Sequence, residues 1–121
     1  MGVKIIEKNN TRIAYIEDDQ LLITDVQSCL DFIASVSYET GCNQMVINKS
    51  ALTEDFFRLD TCLAGEILQK FVTYQVKLAV VGDYSSYTSK SLKDFIYESN
   101  RGKDVFFVAS LDEAVAKLAA V

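Results

Sequence analysis

The chain has 121 residues, half of them apolar and about a quarter charged, which suits one soluble globular domain and is too short for two ordinary ones. A formal net charge of −5 with no basic stripe argues against binding a nucleic-acid backbone. The absence of histidine excludes Ser-His and Cys-His pairs and histidine-ligated metals, and no apolar run approaches the roughly 20 residues of a membrane span.

Val3 to Glu7 and Arg12 to Ile16 are short, β-branched stretches separated by Asn9-Asn10, which predicts an opening β-hairpin. Thr24 followed by Gln27 has the spacing of a capping box, and Val26, Leu30, Ile33 and Ala34 follow at helical spacing toward a stop at Gly41. Gln44 to Asn48 is the next strand. Lys49 to Leu59 reads as a loop or irregular helix, with Phe56 and Phe57 covering the core. A second helix is expected from about Asp60 to about Tyr74, with Leu63, Ile67, Leu68 and Phe71 inward. Gly65 inside it predicts close packing against a neighbour, since glycine costs a helix about 1 kcal/mol relative to alanine.

Lys77 to Val81 is a continuous apolar run of the kind found in parallel strands covered on both faces. Ser91 opens a third helix with Leu92, Phe95, Ile96 and Ser99 on one face, ended by Gly102. Val105 to Ala109 is another buried strand, and Ser110 with Glu113 caps a final helix carrying Ala114, Val115, Leu118 and Ala119 inward. The order β-β-α-β-α-β-α-β-α implies an α/β domain over residues 1–121, with a single mixed, mainly parallel five-stranded sheet.

This layout resembles the STAS fold, that of sulfate-transporter and anti-sigma-factor-antagonist domains. The local likeness is at Leu59-Asp60-Thr61-Cys62-Leu63, against a family motif of a hydrophobic residue followed by Asp-Ser-Ser-Gly at a helix start. Asp60 matches the aspartate, Thr61 the phosphoacceptor serine and Cys62 the second serine, while Leu63 stands where the motif has glycine. The resemblance implies that Thr61 is a phosphoacceptor. A longer likeness runs through Leu63-Ala64-Gly65-Glu66-Ile67-Leu68-Gln69-Lys70-Phe71, Val81-Gly82-Asp83-Tyr84 and Asp94-Phe95-Ile96-Tyr97-Glu98-Ser99-Asn100-Arg101-Gly102. These blocks are similar to the uncharacterised bacterial domain-of-unknown-function family forty-one eighty, which implies a fold and no established activity.

Candidate partner- or ligand-binding residues fall in three places. Asp60, Thr61 and Cys62 lie at the expected helix start, where free N–H groups tolerate an anion, although a plain cap is the commoner reason for such residues there. Asp83, Tyr84, Ser85, Ser86, Tyr87 and Lys90 lie in the stretch that leaves the carboxyl end of a parallel strand, where open α/β sheets bind ligands. That stretch lacks the glycine spacing of a phosphate-binding loop, and a polar turn with a cap accounts for it as well. Arg101 ends the third helix, where the helix dipole favours it without any ligand unless it faces Asp83 or a partner's carboxylate.

Glu54, Asp55, Asp60 and Glu66 form the densest carboxylate group, but at no spacing that marks a metal loop. Cys29, Cys42 and Cys62 are odd in number and widely spaced, which reads as reduced thiols, and Cys62 has no base to activate it. No catalytic residue, metal or cofactor is expected. With no apolar segment of signal-peptide length, the protein reads as cytoplasmic. The expected function is a non-enzymatic, STAS-like regulatory domain that binds an unidentified protein, with neither nucleic acid nor membrane as partner. The alternatives are a small-molecule or nucleotide-binding protein using the same strand ends, and a homo-oligomer joined through exposed Tyr84, Tyr87 and Tyr97.

Overall fold

Asn9 and Asn10 adopt φ of 54° and 64°, the left-handed pair that a two-residue hairpin turn requires. They join β1 (Val3–Lys8) to β2 (Thr11–Ile16) in antiparallel register, Lys8 opposite Thr11 and Val3 opposite Ile16. The computed structural model describes residues 2–18 and 20–121. β3 (Gln44–Asn48), β4 (Lys77–Val81) and β5 (Val105–Val108) add to β2 in parallel, giving a five-stranded sheet in the order β1-β2-β3-β4-β5. The expected mixed sheet, with the last two strands parallel and buried, is the one found.

Alternation along each strand sorts the core into two layers. Ala14, Ile16, Met45, Ile47, Leu78, Val80, Val105 and Phe107 face α1 (Val26–Thr40), α2 (Leu63–Thr73) and α3 (Lys90–Arg101). Ile13, Val46, Ala79, Phe106 and Val108 face α4 (Leu111–Ala119) through Ala114, Val115 and Leu118. Both faces of the parallel strands are therefore covered, which is why their sequences are continuously apolar.

Several local expectations shift by a residue or more. The α1 cap is Asp25 rather than Thr24: its carboxylate accepts from the Ser28 N–H at 2.8 Å, and the Ser28 hydroxyl accepts from the Asp25 N–H at 3.0 Å. The same backbone hydrogen bond holds the Asp25 pKa below its usual value. The buried stripe of α1 is Cys29, Phe32, Ile33 and Val36, and Ala34 is exposed. Burying Phe32 and Val36 removes far more apolar area from water than burying Ala34. α3 is capped by Ser89 and not Ser91, its hydroxyl accepting from the Leu92 N–H at 3.3 Å. Strand β5 ends one residue early, at Val108. Gly65 does not pack against a neighbour: nothing lies within 4 Å of where its Cβ would stand.

Cys29 and Cys42 are buried and Cys62 is exposed, all three as free thiols. Burial pushes the Cys29 pKa up to about 11, with nearby Lys70 acting in the opposite sense. A thiol reagent such as DTNB is therefore expected to titrate a single cysteine in the native protein and all three in denaturant. A second thiol reacting at the native rate would show that the α1 side of the core opens.

Candidate functional site

β3 and β4 run in register, Asn48 opposite Val81, so the residues that follow them, Lys49 and Gly82, meet at the carboxyl end of the sheet. From β3 the chain passes through three short 3-10 turns, Lys49–Ala51, Glu54–Phe57 and Leu59–Thr61, before α2 begins at Leu63. From β4 it passes through residues 82–89 into α3. These two connections close on each other. The Phe57 and Tyr87 rings stack with centroids 5.1 Å apart, and Tyr84 packs against Phe57 and, edge to face, against Phe107. Phe107 also touches Phe56 and Phe95, so one ring from β5 anchors both connections and α3.

Lys49 ties the two connections by charge. Its Nζ lies 2.9 Å from Glu54 Oε1, and 5.3 and 5.0 Å from the centres of the Phe57 and Tyr87 rings. The Tyr87 hydroxyl donates to Glu54 Oε2 at 2.8 Å. Gly82 leaves room for this crossing: a Cβ there would stand 2.5 Å from Lys49 Cβ and 2.9 Å from Lys49 Cδ. Partial burial disfavours the Lys49 charge, but its polar neighbours Tyr87 and Glu54 outweigh that and raise its pKa. The hydrogen bond from Lys49 lowers the Glu54 pKa, with burial opposing and Tyr87 assisting. Burial, above all, raises the Tyr87 pKa.

A carboxylate whose pKa is lowered on folding contributes stability above its unfolded value, about pH 4.3, and loses it as pH falls through the folded value. The Glu54 side chain is 67% exposed, so its contribution is limited to about 1 kcal/mol or less. Wild type is expected to lose more stability than Glu54→Gln between neutral pH and about pH 3, by urea titration. Equal losses in the two proteins would mean that the ion pair contributes nothing.

The structure places the residues singled out from sequence as follows. Thr61 is exposed but precedes α2 by two residues, so it does not open that helix. The break comes at Cys62, which adopts φ 61° and closes the last 3-10 turn by donating its N–H to the Leu59 carbonyl at 3.2 Å. The Thr61 hydroxyl reaches the Arg58 carbonyl at 2.8 Å and the Asp55 carbonyl at 2.9 Å, and accepts from the Leu63 N–H at 3.3 Å. Asp60 and Cys62 are exposed, and Asp60 lies 3.7 Å from Arg58.

Asp83 is exposed and turns back on its own loop, accepting from the Ser85 N–H at 2.9 Å. Hydrogen bonds from Ser85 lower its pKa. Ser85 and Ser86 are exposed. Tyr84 and Tyr87 are half-buried and point inward, so they do not form the exposed aromatic patch expected of them. The Tyr84 hydroxyl donates to the Val80 carbonyl at 2.7 Å, and burial raises its pKa. Lys90 pairs with Asp94 at 2.8 Å, which raises the Lys90 pKa. Arg101 sits at the far end of α3, roughly 17 Å along the helix from its first residue, with its guanidinium over the Tyr97 ring and not paired with Asp83.

Two shallow depressions flank the contacts of Lys49 with Glu54, Phe57 and Tyr87. One, of about 630 Å3, is bordered by Leu21, Lys49, Thr53, Glu54 and Asp83. The other, of about 290 Å3, lies between Arg58, Ser86 and Tyr87. Both are open to solvent. Among the described residues the carboxylates and thiols form no metal-ligating group, and no helix is long and apolar enough to cross a membrane.

Lys49 and Phe57 went unrecognised as site residues in the sequence, Gly82 was read only as the first residue of the candidate loop 82–91, and Glu54 only as one of several acids. A signal was present: two five-residue strands taken as parallel and in register put the residues that follow them side by side. The partners of that junction, Glu54 and Tyr87, are 33 positions apart and share no periodicity.

No curated protein and no solved structure matches the chain significantly. A family described as "Domain of unknown function (DUF4180)" matches residues 8–118, from the last residue of β1 to the penultimate residue of α4. The protein thus belongs to the DUF4180 family.

Proposed function

We propose that this chain is a non-enzymatic, STAS-like regulatory domain that binds another protein through the carboxyl end of its sheet. One observation carries the reading. In open α/β sheets the crevice at this end takes small ligands. Here Phe57, Tyr84, Tyr87 and Lys49 fill it, and the main polar groups inside are already paired. What is left is a firm outer surface built from the 3-10 turns and the 82–89 loop, suited to another surface more than to a small molecule.

Thr61 is the point at which such a surface is switched. A phosphate there would add a charge of about −1.5 to −2 beside the Arg58 and Asp55 carbonyl oxygens that its hydroxyl now serves. The segment would lose those ties and change shape. The test is affinity capture from native lysate with four baits: wild type, Thr61→Ser, Thr61→Glu and Glu98→Lys, the last altered on α3 away from the strand ends. A partner held by wild type, Thr61→Ser and Glu98→Lys, and weakened about tenfold or more by Thr61→Glu, supports the reading. Equal capture by all four baits, or saturable binding of a small anion or nucleotide beside Lys49, overturns it.

A further inference from the structure

The two edges of the sheet are finished differently. On β5 the Asn100 carboxamide occupies both the Phe107 N–H and the Phe107 carbonyl. On β1, the other edge, no hydrogen bond among the described residues reaches the outward side of the strand. The hairpin decides which groups point there. A two-residue turn makes its flanking residues, Lys8 and Thr11, a hydrogen-bonded pair, and such pairs alternate along an antiparallel ladder. The Glu17 N–H donates to the Gly2 carbonyl at 2.8 Å, which keeps the same phase at the far end. Lys4, Ile6 and Lys8 therefore turn their backbone groups toward β2. Val3, Ile5 and Glu7 each turn an N–H and a carbonyl outward, along a strand of about 20 Å.

Side chains set what fits beside this edge. Successive residues alternate between the sheet faces, so Lys4, Ile6 and Lys8 share the α4 face, where Ile6 packs on the core. Val3, Ile5 and Glu7 share the other face. There Ile5 is 36% exposed and Glu7 is paired with Arg12. Lys4 and Lys8 are exposed, and neither forms an ion pair among the described residues. Residues 2–16 carry three cations, Lys4, Lys8 and Arg12, against Glu7 alone, in a chain of net charge −5. The open edge is thus a basic strip on an acidic protein.

We infer that β1 takes an extended acidic segment of another protein as an added antiparallel strand. The segment carries acid, apolar residue and acid at alternate positions, opposite Lys4, Ile6 and Lys8. Its intervening residues exchange hydrogen bonds with Val3, Ile5 and Glu7, so the backbone supplies affinity and the lysines supply selection. Lysines on an edge strand discourage pairing with unsuited strands, and here they leave the edge open to an acidic one. A second copy of β1 fits less well. The phase of the outward groups centres its two-fold axis on Ile5, which sets Lys4 opposite Ile6 and Lys8 opposite Gly2, with no carboxylate facing either lysine. None of these groups belongs to the 3-10 turns or the 82–89 loop, so binding at β1 is read independently of capture at Thr61.

Fluorescence anisotropy with a labelled peptide, Glu-Thr-Val-Ile-Glu-Val between Gly-Ser flanks, tests the inference. In antiparallel register its glutamates face Lys8 and Lys4 and its isoleucine faces Ile5. Saturable binding to wild type is expected, weakening as salt is raised. N-methylation of the peptide's isoleucine, whose N–H points at β1, is expected to weaken binding about tenfold or more, and N-methylation of the preceding valine, whose N–H points away, much less. The double variant Lys4→Glu, Lys8→Glu is expected to lose the acidic peptide and to bind Lys-Thr-Val-Ile-Lys-Val instead. Ile5→Pro removes an outward N–H and keeps the bonds to β2, so it is expected to fold and to bind about tenfold more weakly or worse. Circular dichroism checks folding, and the pair of N-methyl peptides stands as the test on wild type if a variant is not folded. No saturable binding to wild type, equal binding of the acidic and basic peptides, or equal loss from the two N-methyl groups would overturn the inference.

Discussion

Replacing Phe107 with alanine is expected to destabilise the fold by about 3–5 kcal/mol, measured as a lower urea midpoint at unchanged slope. Phe107 is 3% exposed and meets four other rings, Phe56, Phe57, Tyr84 and Phe95, with centroids 5.8 to 6.1 Å away. Those rings come from the 3-10 segment, the 82–89 loop and α3, so the cavity left by alanine would open where three elements converge. The Gly82 N–H donates to the Val108 carbonyl at 2.9 Å and the Asn100 side chain holds the Phe107 backbone, which limits how far the loop and α3 can collapse into the space. Amide exchange is expected to quicken first in the 3-10 segment and the 82–89 loop, since both depend on this ring. A loss below about 1 kcal/mol would mean that the cluster repacks freely around the gap.

Asn100→Leu is expected to cost about 2–3 kcal/mol and to promote association at raised concentration, followed by urea titration and light scattering. β5 is an edge strand. Its Phe107 N–H donates to Asn100 Oδ1 at 2.7 Å, and its Phe107 carbonyl accepts from Asn100 Nδ2 at 3.1 Å. The carboxamide thus occupies the place of a neighbouring strand at one residue of the edge. Leucine keeps the volume and leaves both backbone groups without a partner, on an edge open to another strand. Asn100→Asp is expected to lose less, because a carboxylate still accepts from the Phe107 N–H while repelling the carbonyl. If leucine costs under about 0.5 kcal/mol, water replaces both bonds.

Amino-acid order alone determined the hairpin, the nine-element order, the parallel pairing of β4 and β5, and most of both core layers. These follow from local signals: a pair of asparagines that accept positive φ, apolar runs of strand length, and apolar spacing close to 3.6 on helices. Helix phase and start were legible only to within a residue or two, because caps and small apolar residues offer nearly equal local choices. Thus Asp25 and Ser28 displaced Thr24 and Gln27, Phe32 and Val36 displaced Ala34, and Cys62 stopped a helix that residue pattern alone extends back to Asp60.

The tertiary structure alone decided which side chains meet at the strand ends and along the edge. Glu54 and Tyr87 are 33 residues apart, and Lys49 reaches both across Gly82 only because β3 and β4 pair in register. Asn100 reaches Phe107 only because α3 returns along the edge of β5. Neither contact leaves a period in the chain, because each is set by strand register and helix return, and these arise when distant apolar faces are buried together.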